Sequence, residues 1–255
     1  MSNIIACYKW VLDEADIKIN PDQSIDTNKA KGKISDYDKN AIEAVVQAAK
    51  TLGGKAVGLT FGNAKTKQSL KDALSRGLEE GYWINSEQAV TADGAVTAKV
   101  LAAAIKKIGD VSLVVCAEGA SDTYARQTAP RVGAALDLPV VSSVCKMEIK
   151  GNTLIAQRKL YDCLETVKVE LPAVVSVLPE TCVPTIPGLK AVMAAGKKPI
   201  TEYKGEDLGV DFTTKTKVTE VKGYVMNRKN IILNGGQVAD QVNELATFLR
   251  KEGVL

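Results

Sequence analysis

The residues best placed to do chemistry lie in Ser121-Asp122-Thr123-Tyr124-Ala125-Arg126-Gln127-Thr128, shortly after the apolar run Val-Ser-Leu-Val-Val and the pair Cys116-Ala117. Small side chains at a strand end let backbone N–H groups approach an anion, and a helix that starts there favours negative charge. Arg126 adds a cation. The same residues have a plainer reading: a helix capped by Ser121, Asp122 or Thr123, with Arg126 exposed one turn in. The stretch is neither G-x-x-x-x-G-K-[ST] nor G-x-G-x-x-G, so ATP hydrolysis on a phosphate loop and NAD(P) binding lose support. The chain has no histidine, which removes the usual general base near neutral pH and every His-based triad or metal site. Its five cysteines, Cys7, Cys116, Cys145, Cys163 and Cys182, form no C-x-x-C pair and read as reduced thiols. Redox or group-transfer chemistry would have to come from a bound cofactor.

Two further stretches stand out. Ser35-Asp36-Tyr37-Asp38 precedes a helical pattern, and Asp36 or Asp38 would satisfy the free N–H groups of its first turn. Ile186-Pro187-Gly188 breaks the chain before Leu189, Val192, Met193 and Ala195, which rise on a short helix ending at Lys197 and Lys198. This helix reads either as a surface helix with a solvated basic end or as a docking element with an apolar anchor.

The elements that must position these residues alternate. Apolar runs at Asn3–Val11, Lys55–Gly62, Gly81–Asn85 and Val111–Ala117 predict strands, and the stretches between them carry helical periodicity. This predicts an α/β fold: a mostly parallel doubly wound sheet with helices on both faces. Runs within 138–179 predict further strands, joined by short turns and added antiparallel at an edge. Pro130 lies inside a helical pattern and either kinks it or marks its start. Residues 1–200 read as a nucleotide-binding α/β domain. Residues 201–255 read as a polar extended arm ending in an amphipathic helix, whose stripe of Val238, Val242, Leu245 and Leu249 needs a surface to bury against. A net charge of +3 argues against nucleic acid as a partner. Apolar runs too short for a membrane span, and an opening without a secretory leader, predict a cytoplasmic protein with no membrane insertion.

Taken together, these motifs resemble the beta subunit of electron-transfer flavoproteins, in particular its FixA-like branch, over nearly the whole chain. The resemblance rests on CYKWVLDEADIKIN, KISDYDKNAIEAV, EGASDTYARQTAPRVGAALDLPVV and, most specifically, ETVKVELPAVVSVLPETCVPTIPGLKAVMAAGKKPI. Ser35-Asp36-Tyr37 stands where many members have Asn-Pro-aromatic, a change that fits the FixA-like branch. The resemblance implies an electron carrier rather than an enzyme. It would be paired with an alpha subunit holding a shared FAD, with AMP or a second FAD in the beta subunit and an acyl-CoA dehydrogenase-type redox partner. It places Asp122, Thr123, Ala125, Arg126, Gln127 and Thr128 around the phosphate, Ala6, Cys7, Ser35 and Phe61 along the adenosine, and Leu189, with Met193 beside it, at the redox partner. It implies no catalytic and no metal residues. Two other functions fit the same residues: a bifurcating subunit whose own FAD splits electrons from NADH, and a stand-alone adenine-nucleotide-binding regulator.

Overall fold

The computed structural model describes residues 2–224 and 228–255. Nine strands form one sheet: β1 Asn3–Cys7, β2 Lys55–Gly62, β3 Glu80–Asn85, β4 Val111–Ala117, β5 Val140–Lys150, β6 Thr153–Lys159, β7 Leu164–Glu170, β8 Ala173–Val177 and β9 Ile200–Lys204. Their order is β7-β6-β5-β8-β4-β1-β2-β3-β9. Every neighbour pair from β5 to β9 is parallel, and only β6 and β7 are added antiparallel. The helices are α1 Asp36–Leu52, α2 Gln68–Ser75, α3 Gly94–Ile108, α4 Thr128–Leu136, α5 Leu189–Ala195 and α6 Val238–Lys251.

The period-two alternation of buried strands divides the core between the sheet's two faces. Ile4, Ala6, Leu113 and Val115 pack with Ile42 and Val45 of α1 and Leu74 of α2. Ile5, Cys7, Val114 and Cys116 pack with Val100 and Ile105 of α3 and Val132 of α4. The expected α/β architecture is therefore present, with helices on both faces. Gly53 ends α1 in the left-handed region at φ 62°, a conformation that costs glycine little.

Two local expectations change. The helix expected from Ser121 onward begins only at Thr128, with Pro130 as its third residue. A proline lacks the N–H that a helix interior needs, so it fits the first turn. Thr201–Lys204, grouped by its polar texture with the arm, instead joins Ile200 in the edge strand β9, and Tyr203 packs on Tyr82 with ring centroids 5.6 Å apart. An edge strand can be half polar because only one of its faces is covered.

The chain divides into two compact units. One comprises the residues up to 18 and 26–221, and the other 19–25 and 222–255. Within the smaller unit the Gly223 N–H donates to the Gln23 carbonyl at 2.8 Å, and Lys229 pairs with Glu252 at 2.5 Å. Helix α6 buries none of its residues, so Val238, Val242 and Leu245 stand exposed. Residues 225–227 of the expected arm lie outside the described residues. Among the described residues no helix is long and apolar enough to cross a membrane.

Candidate functional site

Strands β4, β1 and β2 are parallel neighbours, and their carboxyl ends form the floor of a cleft of about 340 Å³. Parallel sheets bind ligands at such ends because the loops and helix N-termini converge there. Cys7 and Cys116 sit side by side in register on β1 and β4 and line the floor with Phe61 of β2 and Leu101 of α3. The N-terminus of α3 contributes Asp93, Gly94 and Thr97. The loop after β4 contributes Gly119, Ala120, Thr123, Ala125, Arg126, Gln127 and Thr128.

That loop is shaped by its own bonds. The Glu118 N–H donates to the Val177 carbonyl at 3.0 Å, and the Tyr124 N–H turns back to the Ala120 carbonyl at 2.9 Å. Tyr124 and Arg126 are left-handed, at φ 45° and 56°, a strained state for side chains of their size that clusters at ligand clamps. The Ser121 N–H donates to the Ser35 hydroxyl at 3.1 Å, and the Tyr124 ring rests on Tyr37, 5.2 Å between centroids. Lys9 pairs with Asp122 at 2.5 Å, and Arg126 pairs with Glu118 at 3.3 Å. Both cations are exposed enough to turn toward an incoming anion.

Of the residues expected around a nucleotide, Cys7, Phe61, Thr123, Ala125, Arg126, Gln127 and Thr128 line the cleft together. Ala6 is fully buried and packs on the opposite face of the sheet, because its neighbour Cys7 takes the cleft side. Ser35 is also fully buried and acts through the loop by accepting from Ser121. Asp122 is held by Lys9. Ser121, Asp122 and Thr123 do not cap α4, whose cap position is Gln127 and has no side-chain cap bond. Arg126 precedes α4 instead of lying one turn inside it. Leu189 and Met193 lie outside the cleft, on α5, with 78% and 69% of their surface exposed. That exposure excludes a core role for Leu189 in this chain.

Sequence reasoning missed several lining residues: Lys9, Asp38, Asp93, Gly94, Cys116 and Thr216. The sequence offers Asp36 or Asp38 as a cap of α1. The Asp38 carboxylate instead accepts the Lys9 N–H at 2.7 Å, while Asp36 pairs with Lys33 and Lys39. Burial pushes the Asp38 carboxyl up to about 7, because an ion loses solvation there. A legible signal did exist for Asp93: an aspartate directly before the helical Gly94-Ala95-Val96 is a capping pattern.

The Cys116 thiol is pushed up by its bond to the Cys7 thiol and by burial, so it is a poor thiolate and a poor nucleophile. Among the described residues no cluster of His, Cys, Asp and Glu could hold a metal. What the cleft offers is binding. Its apolar floor suits a flat heterocycle. Its polar rim suits a phosphate: the first N–H groups of α4 have no partner within the helix, and Arg126, Gln127 and Thr128 line the cleft beside them. An adenosine phosphate therefore fits the residues present.

Residues 23–208 match the model of the electron transfer flavoprotein domain. The match takes in α1, the cleft loop, the antiparallel edge and α5. The chain belongs to the electron transfer flavoprotein domain family.

Proposed function

We propose that this chain is the beta subunit of a heterodimeric electron-transfer flavoprotein, of the FixA-like branch, acting in the cytoplasm. The cleft carries this reading: an apolar floor of Cys7, Cys116 and the Phe61 ring beneath the loop that brings Thr123, Ala125, Arg126, Gln127 and Thr128 together. Thr123, Ala125, Arg126, Gln127 and Thr128 would hold the phosphate, and Cys7 and Phe61 the adenosine, of AMP or of a second FAD. The FAD shared with an alpha subunit supplies the electron transfer when bound. The protein's own part is to position the nucleotide, exclude water from the floor and present surfaces to partners.

Two surfaces support partners rather than a stand-alone regulator. Val183, Ile186, Leu189 and Met193 are 69–89% exposed around α5, which suits an acyl-CoA dehydrogenase-type partner with an apolar pocket. The bare stripe of α6 suits burial on the alpha subunit. Denaturing the purified chain and chromatographing what it releases tests the reading, and a folded chain that neither carries nor binds AMP or FAD would refute it. Counting flavins in a heterodimer purified with alpha separates the two forms. One flavin with AMP marks the simple carrier. Two flavins mark a bifurcating subunit oxidising NADH.

A further inference from the structure

Residues 209–216 follow β9 and a short 3-10 turn at Gly205–Leu208, have no regular structure, and lie beyond the stretch that matches the family. Two anchors hold this segment against the cleft. The first is Asp93. Its Oδ1 accepts the Ala95 N–H at 3.0 Å and the Val96 N–H at 2.9 Å, capping α3. Its Oδ2 accepts the Lys215 N–H at 2.9 Å and the Thr216 hydroxyl at 3.4 Å. A carboxylate has about four acceptor positions, so Asp93 has none left for a ligand and serves as an anchor instead. The Val96 N–H above all holds its carboxyl down to about 2, so it remains an acceptor at neutral pH.

The second anchor is apolar. The Phe212 ring lies 6.2 Å from Phe61, tilted by 49°, and Phe61 lines the cleft. Val210 and Phe212 pack on the same cluster that holds Cys7 and Cys116. Between the two anchors the Asp211 side chain accepts the Thr213 N–H at 2.9 Å and turns the chain. Thr216 reaches the cleft itself.

We propose that residues 210–216 are a strap forming a further wall of the nucleotide site, latched by Asp93, and that this wall sets how long the cleft retains an adenine nucleotide. The inference rests on the nucleotide reading given above. The matched stretch supplies the phosphate loop and, together with Cys7 of β1, the floor, and the strap supplies a side that the matched stretch does not contain. Its grip consists of two hydrogen bonds to a carboxylate and the packing of Val210 and Phe212 on the edge of the cluster, weak enough to release and strong enough to slow escape.

The test uses the full chain loaded with radiolabelled AMP and, separately, with FAD, chased by an excess of the same unlabelled nucleotide. The double substitution Lys215→Pro/Thr216→Val removes the donors to Asp93 and leaves Asp93 as the cap of α3. Phe212→Ala removes the ring contact. Each variant is expected to release nucleotide roughly tenfold faster or more; the thermal midpoint of the nucleotide-free chain stays unchanged for Lys215→Pro/Thr216→Val and falls for Phe212→Ala, whose ring packs on the core cluster. Release at the unaltered rate from both variants overturns the strap and leaves the nucleotide reading standing. A lower midpoint of the nucleotide-free Lys215→Pro/Thr216→Val variant assigns the segment to plain stability and overturns the strap as well. If the unaltered chain binds neither AMP nor FAD, both readings fall.

Discussion

The cleft and the segment around α5 are built in opposite ways. In the cleft, the charged side chains are spoken for: Asp38 by Lys9, Asp93 by four donors, Arg126 by Glu118, Lys9 by Asp122. Around α5 the backbone is fastened from beneath and the side chains are bare. Asn40 donates to the carbonyls of Pro179 and Cys182 at 2.9 and 2.7 Å, and Thr185 donates its N–H to Glu43 at 3.1 Å. Lys198 donates to the carbonyls of Leu74 and Leu78 at 2.9 and 2.5 Å. Val183, Ile186, Leu189 and Met193 nonetheless face solvent. A small anionic ligand is recognised by preset polar geometry in a concave site. A protein partner is recognised by apolar anchors whose backbone is already fixed, which lowers the ordering cost of binding. The two regions should therefore respond to different perturbations.

The largest difference concerns pH. The Asp38 carboxyl is raised from 3.8 to about 7, so the folded state binds its proton more tightly than the unfolded chain. The stabilisation is complete below the unfolded value and is lost as pH rises through about 7. Between these limits the native protein should lose about 1.4 kcal/mol per pH unit relative to Asp38→Asn. Parallel denaturant titrations across that window read the difference, and Lys190→Gln, on exposed α5, should leave the slope intact. A flat difference for Asp38→Asn would show that the cleft does not hold this carboxyl neutral.

A steric change comes next. A Cβ at Gly94 would sit 3.0 Å from the Gln127 Oε1, which already accepts from Arg131 at 3.0 Å. Gly94→Leu should crowd the rim and weaken AMP or FAD binding roughly ten- to hundredfold, the equivalent of about 1–3 kcal/mol of overpacking. Calorimetric titration measures it. Unchanged affinity would mean that the ligand does not use the rim between α3 and the loop.

The smallest expected effect is at Leu189. Burying a leucine in a partner contributes about 1.5–3 kcal/mol, so Leu189→Ala should slow dehydrogenase-dependent flavin reduction by about tenfold. Nucleotide content and thermal midpoint should not move, because the side chain is 78% exposed. A lowered midpoint with an unchanged rate would reverse the comparison between the two regions.

Periodicity and composition determined much of this protein. The alternation of short β-branched runs with amphipathic helices specified the parallel sheet, because a strand covered on both faces must be apolar throughout and a helix on one stripe. Pro187-Gly188 before Leu189 marked the α5 segment for the same local reason: breakers act on the residues beside them. The cleft was only half legible. Its loop showed as small polar residues after a strand, and the motif resemblance pointed to a nucleotide. The start of α4, the role of Asp38, the pairing of Cys7 with Cys116 and the strap on Asp93 were decided by tertiary structure. Asp38 and Lys9 are 29 positions apart, Cys7 and Cys116 109, and Asp93 and Lys215 122. Contacts at such separations depend on strand order and register, which local propensity does not encode. Burial follows from the same packing, and it turned an ordinary-looking aspartate into a carboxyl that titrates near neutrality.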